Sequence, residues 1–307
     1  MENLTAILVV LDRSARDAPL LTKSLVLARE FNARVELFSC DAEHEYALRH
    51  SYDKSGVAAA RQACILGLRD YLRQCCDQFI AKNVVVTIDA VCESPLYEGV
   101  IRKVSRSAPD LVVKAAALES FEGRGALDFN DWQLASMCPV PLLLSRGGVW
   151  PARPRFAAAV DASAEETPGL AEKILRTAEY LRAGYQGELD VLFGERTSID
   201  RRTRRRTADT LRRLARELHF AAERIRALPG DAAAMVLAFE GEHHPDILVL
   251  GTLPYRTGVT AGVGTRTEEL MRTLDCDLLL VKQSGLMSPV RDPANACATD
   301  TNHVESP

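Results

Sequence analysis

Pro245-Asp246-Ile247-Leu248-Val249-Leu250-Gly251 decides the fold: a short apolar run between turn formers, ending on a glycine that opens a loop with Gly258, Gly262 and Gly264. A run of this kind reads as a strand buried on both faces, the usual strand of a parallel sheet. It has a counterpart 136 positions upstream, Asp110-Leu111-Val112-Val113-Lys114. Pro141-Leu142-Leu143-Leu144 and Asp277-Leu278-Leu279-Leu280 stand the same 136 positions apart. The runs closing on Leu11-Asp12 and Val160-Asp161 are 149 apart, so the second copy is 13 residues shorter in its early part. A period this long marks a duplicated domain, whereas solenoids repeat every few tens of residues.

Working outward, strand-like runs at Ala6 to Leu11 and Arg34 to Cys40 flank a stretch, Ala18 to Phe31, with Leu21, Leu25 and Ala28 at helical spacing. That is a βαβ unit. A long helix (about Val57 to Lys82), a strand from Asn83 to Val91, a helix from Pro95 to Ser107, a strand from Asp110 to Lys114, a variable segment and a strand from Pro141 to Ser145 complete the first copy. The second repeats the order: strand Phe156 to Val160, helix Gly169 to Arg182, strand Glu188 to Phe193, a basic helix (Thr203 to His219), strand Glu223 to Leu228, helix Asp231 to His243, strand Asp246 to Leu250, helix Thr265 to Thr273 and strand Asp277 to Val281. Alternating strands and helices predict parallel sheets covered on both faces. The domains are expected at 1–146 and 155–283, joined by a linker, 147–154, with two glycines and two prolines. Residues 284–307 lack apolar periodicity and are expected to be a disordered tail.

A chain of 307 residues has room for two cores, and a formal net charge of −4 gives no global attraction to nucleic acid. No run approaches the length of a membrane span, and the N-terminus lacks a signal-peptide pattern, so a cytoplasmic protein is expected. The eight cysteines include no C-x-x-C pair and read as reduced, mostly packed thiols.

The loop after Gly251 carries the chemistry. A glycine-rich loop at the carboxyl end of a parallel strand, running into a helix, offers phosphate its backbone N–H groups and the positive end of the helix dipole. Gly251 permits close approach, Gly264 a tight turn, and Thr265 supplies a hydroxyl for the helix cap or a phosphate oxygen. Glycines also serve plain turns, so the loop by itself leaves both readings open.

This loop resembles the G-x2-G-x9-G-[ST] motif of nucleotide-binding universal stress proteins, with Gly251 at its first position and Gly264-Thr265 at its last two. The strands closing on Asp12 and Asp161, the Cys276-to-Lys282 run, and Asp131-Trp132 with Cys138-Pro139-Val140-Pro141 resemble tandem members of that family. The resemblance implies two tandem doubly wound, five-stranded parallel-sheet α/β domains of the adenine nucleotide alpha hydrolase-like type. It places Asp161 near a ribose, the backbone around Val191 near adenine, and Gly251, Gly264 and Thr265 around phosphates. It further implies a non-catalytic stress-response role, ATP or another adenine nucleotide with its associated Mg as ligand, and last strands that pair as a pseudo-dimer or homodimer. Pro254 departs from the motif's second glycine and removes an N–H donor. Arg256 and Arg266 in the same loop either replace that donor by charge-assisted bonds or are solvated charges. The alternative function is a nucleotide-independent scaffold, or a module for another small anionic ligand. In the first copy the loop positions fall on Ala115, Leu118, Asp128 and Phe129, none suited to phosphate.

Three other signals read more plainly. Glu195 to Glu217 holds nine arginines, but no aromatic platform is interleaved, so a solvated face is favoured over a nucleic-acid site. His243-His244 at a helix end suits capping better than metal binding, and no metal site is expected. No G-x-S-x-G or H-E-x-x-H motif is present, so no hydrolytic centre is expected, with weak ATP hydrolysis left open.

Overall fold

The structure is a computed structural model. It describes residues 1, 3–51, 55–121, 124–160, 169–195, 205, 209, 212–213, 216–217, 224–229, 232–252 and 274–290.

In the first half the chain runs β1 (Ala6–Leu11), α1 (Asp17–Phe31), β2 (Arg34–Cys40), α2 (Ala42–Arg49), α3 (Val57–Ile80), β3 (Val86–Val91), α4 (Leu96–Ser107), β4 (Leu111–Ala115), β5 (Leu118–Phe121), β6 (Arg124–Leu127), α5 (Phe129–Met137) and β7 (Leu142–Ser145). The second half runs β8 (Arg155–Val160), α6 (Leu170–Tyr185), β9 (Glu188–Glu195), β10 (Ile225–Pro229), α7 (Ala232–His243), β11 (Ile247–Thr252) and β12 (Asp277–Lys282). The expected helix from 265 to 273 lies outside the described residues, as do most of the basic helix and the tail beyond 290.

Ten strands form one sheet in the order β10-β9-β8-β11-β12-β7-β4-β1-β2-β3. Within each half every pairing in this sheet is parallel and the order is third, second, first, fourth, fifth, while β5 and β6 form a separate antiparallel pair. The halves meet at an antiparallel seam where Leu142, Leu143 and Leu144 face Leu280, Leu279 and Leu278. Two last strands built of consecutive leucines would otherwise be apolar open edges, and pairing removes both. The expected intramolecular pairing is thus present.

The continuous apolar strands bury side chains on both faces. One face packs beneath α1, α3 and α6 through Leu20, Leu27, Leu68, Leu72, Ile174 and Leu181. The other packs beneath α4, α5 and α7 through Val100, Val104, Leu134, Met235 and Phe239. α1 and α6 both end on a left-handed residue, Asn32 (φ 50) and Gln186 (φ 50), and both then turn directly into the next strand.

Candidate functional site

In an open doubly wound sheet, the crevice at the carboxyl ends of the strands lies where the strand order reverses. That point falls between β1 and β4 in the first half and between β8 and β11 in the second.

In the second half, Leu250 pairs with Ala159, so Gly251, one residue before the end of β11, lies level with Val160, the last residue of β8. Gly251 lies tight under α6: a Cβ there would meet Leu170 Cδ2 and Ile174 Cδ1 at 2.9 Å. The missing side chain therefore lets α6 sit down on the strand end beside the crevice. Thr252 follows, 1% exposed and paired with Lys282 of β12, and its hydroxyl has no hydrogen-bond partner among the described residues. A buried hydroxyl without a partner is costly in a protein interior, so among the described residues this atom is an unsatisfied group at the strand's end. Thr252 was not singled out in the sequence, because a threonine after a strand is common and only its burial makes it unusual.

Val191 occupies a different place from the strand end. It is wholly buried in β9 and paired with Ala158 on one side and Ile225 on the other, two residues before Phe193, which pairs with the last residue of β8. Its backbone is committed to two ladders. Asp161 directly follows β8, and Pro254, Arg256, Gly264, Thr265 and Arg266 follow β11; all six lie outside the described residues.

The first half closes its crevice with its own charges. Asp12 follows β1, and its carboxylate accepts the Ser14 N–H at 3.0 Å and Arg16 Nη2 at 2.9 Å. Burial pushes the Asp12 pKa up, but the bonds from Ser14 and Arg16 more than offset it and hold the carboxyl below its ordinary value. Asp17 accepts the N–H groups of Asp12 and Arg13 and the Tyr71 hydroxyl, while burial, the largest effect, raises its pKa. At the end of β4, Lys114 is 3% exposed and forms an ion pair of 2.7 Å with the fully buried Asp131 of α5. Asp131 also accepts the Ala117 N–H at 2.7 Å. Burial raises the Asp131 pKa, and Lys114 acts against it.

Asp128, the counterpart of Gly264, is the N-cap of α5 and accepts the Asp131 N–H at 2.7 Å. An aspartate three residues before a second one at a helix start is a legible capping pattern. The Lys114–Asp131 pair was not legible, because its members stand 17 positions apart with a β-hairpin between them. His243 ends α7 with its ring stacked on Phe239, and no cluster able to hold a metal ion occurs among the described residues.

Two five-stranded α/β halves, each wound in the same order and fused strand to strand, have the architecture of a tandem universal stress protein. A universal stress protein from Archaeoglobus fulgidus superposes with a TM-score of 0.69 at 13% identity, covering 92% of this chain and 97% of that one. A protein of unknown function from Pseudomonas aeruginosa gives 0.70 at 20% identity, covering 92% and 94%. In sequence, the chain is similar to universal stress protein E of Photorhabdus laumondii, 22% identical over 313 residues that span 95% of this chain and 99% of the relative. No family profile matches. The chain is thus similar to universal stress proteins along nearly its whole length.

Proposed function

We propose that the chain is a non-catalytic cytoplasmic stress-response protein whose 155–283 domain binds an adenine nucleotide, ATP in the first instance, at the carboxyl edge of β8 and β11. The observation that supports this reading best is the end of β11. Gly251 lets α6 sit down on the strand end beside the crevice, and the buried Thr252 hydroxyl that follows it has no hydrogen-bond partner among the described residues. Asp161 would hold the ribose, the β9 segment containing Val191 would flank adenine, and Gly251, Gly264, Thr265, Arg256 and Arg266 would surround the phosphates. Such a site binds by backbone donors and charge and needs no general base. No helix among the described residues is long and apolar enough to cross a membrane, in keeping with the proposed location.

Calorimetric titration of the full chain with ATP tests the proposal. One equivalent should bind, and Gly264→Val should abolish the heat by placing a side chain where the loop must turn. If the unaltered protein does not bind at millimolar ATP, the nucleotide reading fails.

Pro254 favours a second reading, a nucleotide-independent scaffold, since it withdraws one backbone donor from the loop. That reading predicts ATP binding in Pro254→Gly and none in the unaltered chain.

A further inference from the structure

We propose that the first half contains a self-liganded anion site, in which the Asp131 carboxylate fills the place that the glycine loop of the second half offers to phosphate. The inference rests on the proposed nucleotide reading only for what the second half binds. The first-half site is defined by its own contacts.

β4 and β11 are the fourth strands of their halves, and their sequences stand 136 positions apart. At the end of β4, two kinds of anion ligand converge: the Lys114 ammonium and the backbone N–H of Ala117. The anion they hold belongs to the chain. Asp131 Oδ1 lies 2.7 Å from Lys114 Nζ, and Oδ2 accepts the Ala117 N–H at 2.7 Å. Both side chains are more than nine-tenths buried, which sets this pair apart from the exposed ion pairs along α3 and the Arg-rich face. The loop is stitched to the helix from both directions, because the Asp128 N–H bonds the Ala117 carbonyl at 2.9 Å and the Asp128 carboxylate bonds the Asp131 N–H.

A second anion entering this half would meet a carboxylate already on the available donors, so charge repulsion and lost hydrogen bonds both oppose it. This accounts for the absence of glycines at Ala115, Leu118, Asp128 and Phe129, since a site that carries its ligand covalently has no need to admit one. It also limits the chain to one nucleotide. The gain is a first half whose edge is ordered whether or not nucleotide is present.

The test removes the internal ligand from the full chain and supplies small anions in its place. Asp131→Ala should lower the melting temperature by roughly 10 °C, because it leaves a buried, uncompensated ammonium. Sodium formate or inorganic phosphate at tens of millimolar should then return several degrees beyond what sodium chloride gives at equal ionic strength. The unaltered protein should show no such excess, and the Lys114→Met/Asp131→Ala double variant should lose it. If Asp131→Ala does not fold, Asp131→Ser, which also vacates the place of the carboxylate, should show the same Lys114-dependent response. A folded Asp131 variant that gains nothing specific from formate or phosphate overturns the proposal, as does an equal gain in the unaltered protein. Failure of ATP to bind the unaltered chain bears only on the second half and leaves this result standing.

Discussion

Lys23 of α1 and Asp277 of β12 come from opposite halves and meet at 2.6 Å with side chains 2% and 3% exposed. Lys23 also reaches the Ser145 hydroxyl at 3.0 Å, and Asp277 accepts from the Arg146 N–H and from Trp150 Nε1. Breaking such a pair from one side strands a buried charge, so Lys23→Met should cost about 3–5 kcal/mol in urea unfolding near neutral pH. The sign of its pH dependence follows from the carboxyl. Burial, the largest effect, raises the Asp277 pKa, and Lys23 opposes the rise. Without Lys23 the folded pKa climbs further above the unfolded one, so the folded state holds its proton as the pH rises. Stability from that proton is full below the unfolded pKa and is lost through the folded one. The variant should therefore be less damaged at pH 5 than at pH 8, and an equal cost at both values would contradict the assignment. Lys282 presents the reverse case. It is fully buried, its ammonium bonds the Ala135 carbonyl near the end of α5, and desolvation lowers its pKa to about 8. Holding it protonated at pH 7 costs about 3 kcal/mol, at 1.36 kcal/mol per pH unit, which the bond to Ala135 partly returns. Stability should rise between about pH 8 and the unfolded lysine value, and Lys282→Met should remove that rise and gain about 1 kcal/mol at pH 7. A variant that keeps the same pH slope would show that another group carries it.

At the scale of elements, α6 shows how glycines set the distance between a helix and the sheet. A Cβ on Gly187 would come within 2.3 Å of the Pro154 carbonyl oxygen, a backbone atom at the start of β8, whereas one on Gly251 would meet the ends of two flexible side chains. Alanine at 187 should thus cost about 3 kcal/mol and alanine at 251 about 1, both read from chemical denaturation. If the order were reversed, the packing account of Gly251 would fail and its place in the loop would have to explain it. The sequence assigned this glycine to close phosphate approach, while the contact with Leu170 and Ile174 supplies a second reason visible only once α6 is placed. The central strands β1, β4, β8, β11 and β12 were legible almost to the residue because they are nearly continuous apolar runs, whereas β3, with Thr87 and Asp89 in it, begins at Val86 and not at the expected Asn83. α2, the β5–β6 hairpin and α5 were not read as elements. α2 is eight residues with little apolar content, Leu118 to Leu127 has no period of two, and α5 is held by capping and by Asp131 contacts, which periodicity does not report.

At the scale of the molecule, the duplication was legible from register alone, whereas the pairing of the two last strands was expected only from the family resemblance. Which groups lock the halves was not legible, because Lys23, Asp277, Lys282 and Ala135 become neighbours only through the antiparallel seam. Phe31 of α1 adds to the lock from one face, stacking on Tyr180 and meeting Tyr185 edge to face across the α1–α6 contact. With a leucine ladder, a buried ion pair and an aromatic cluster all crossing between halves, the ten-stranded sheet should unfold as one cooperative unit despite its two-part ancestry. Leu279 tests this. It is 1% exposed in β12 and faces Leu143 across the seam, so Leu279→Ala should cost about 2–5 kcal/mol. In native-state hydrogen exchange, the slowest amides of β1, far across the sheet in the first half, should lose protection by the same free energy as those of β8 and β11. If β8 and β11 weaken while the β1 amides hold their protection, the seam joins two independently stable bodies and the coupling inferred from its contacts is wrong.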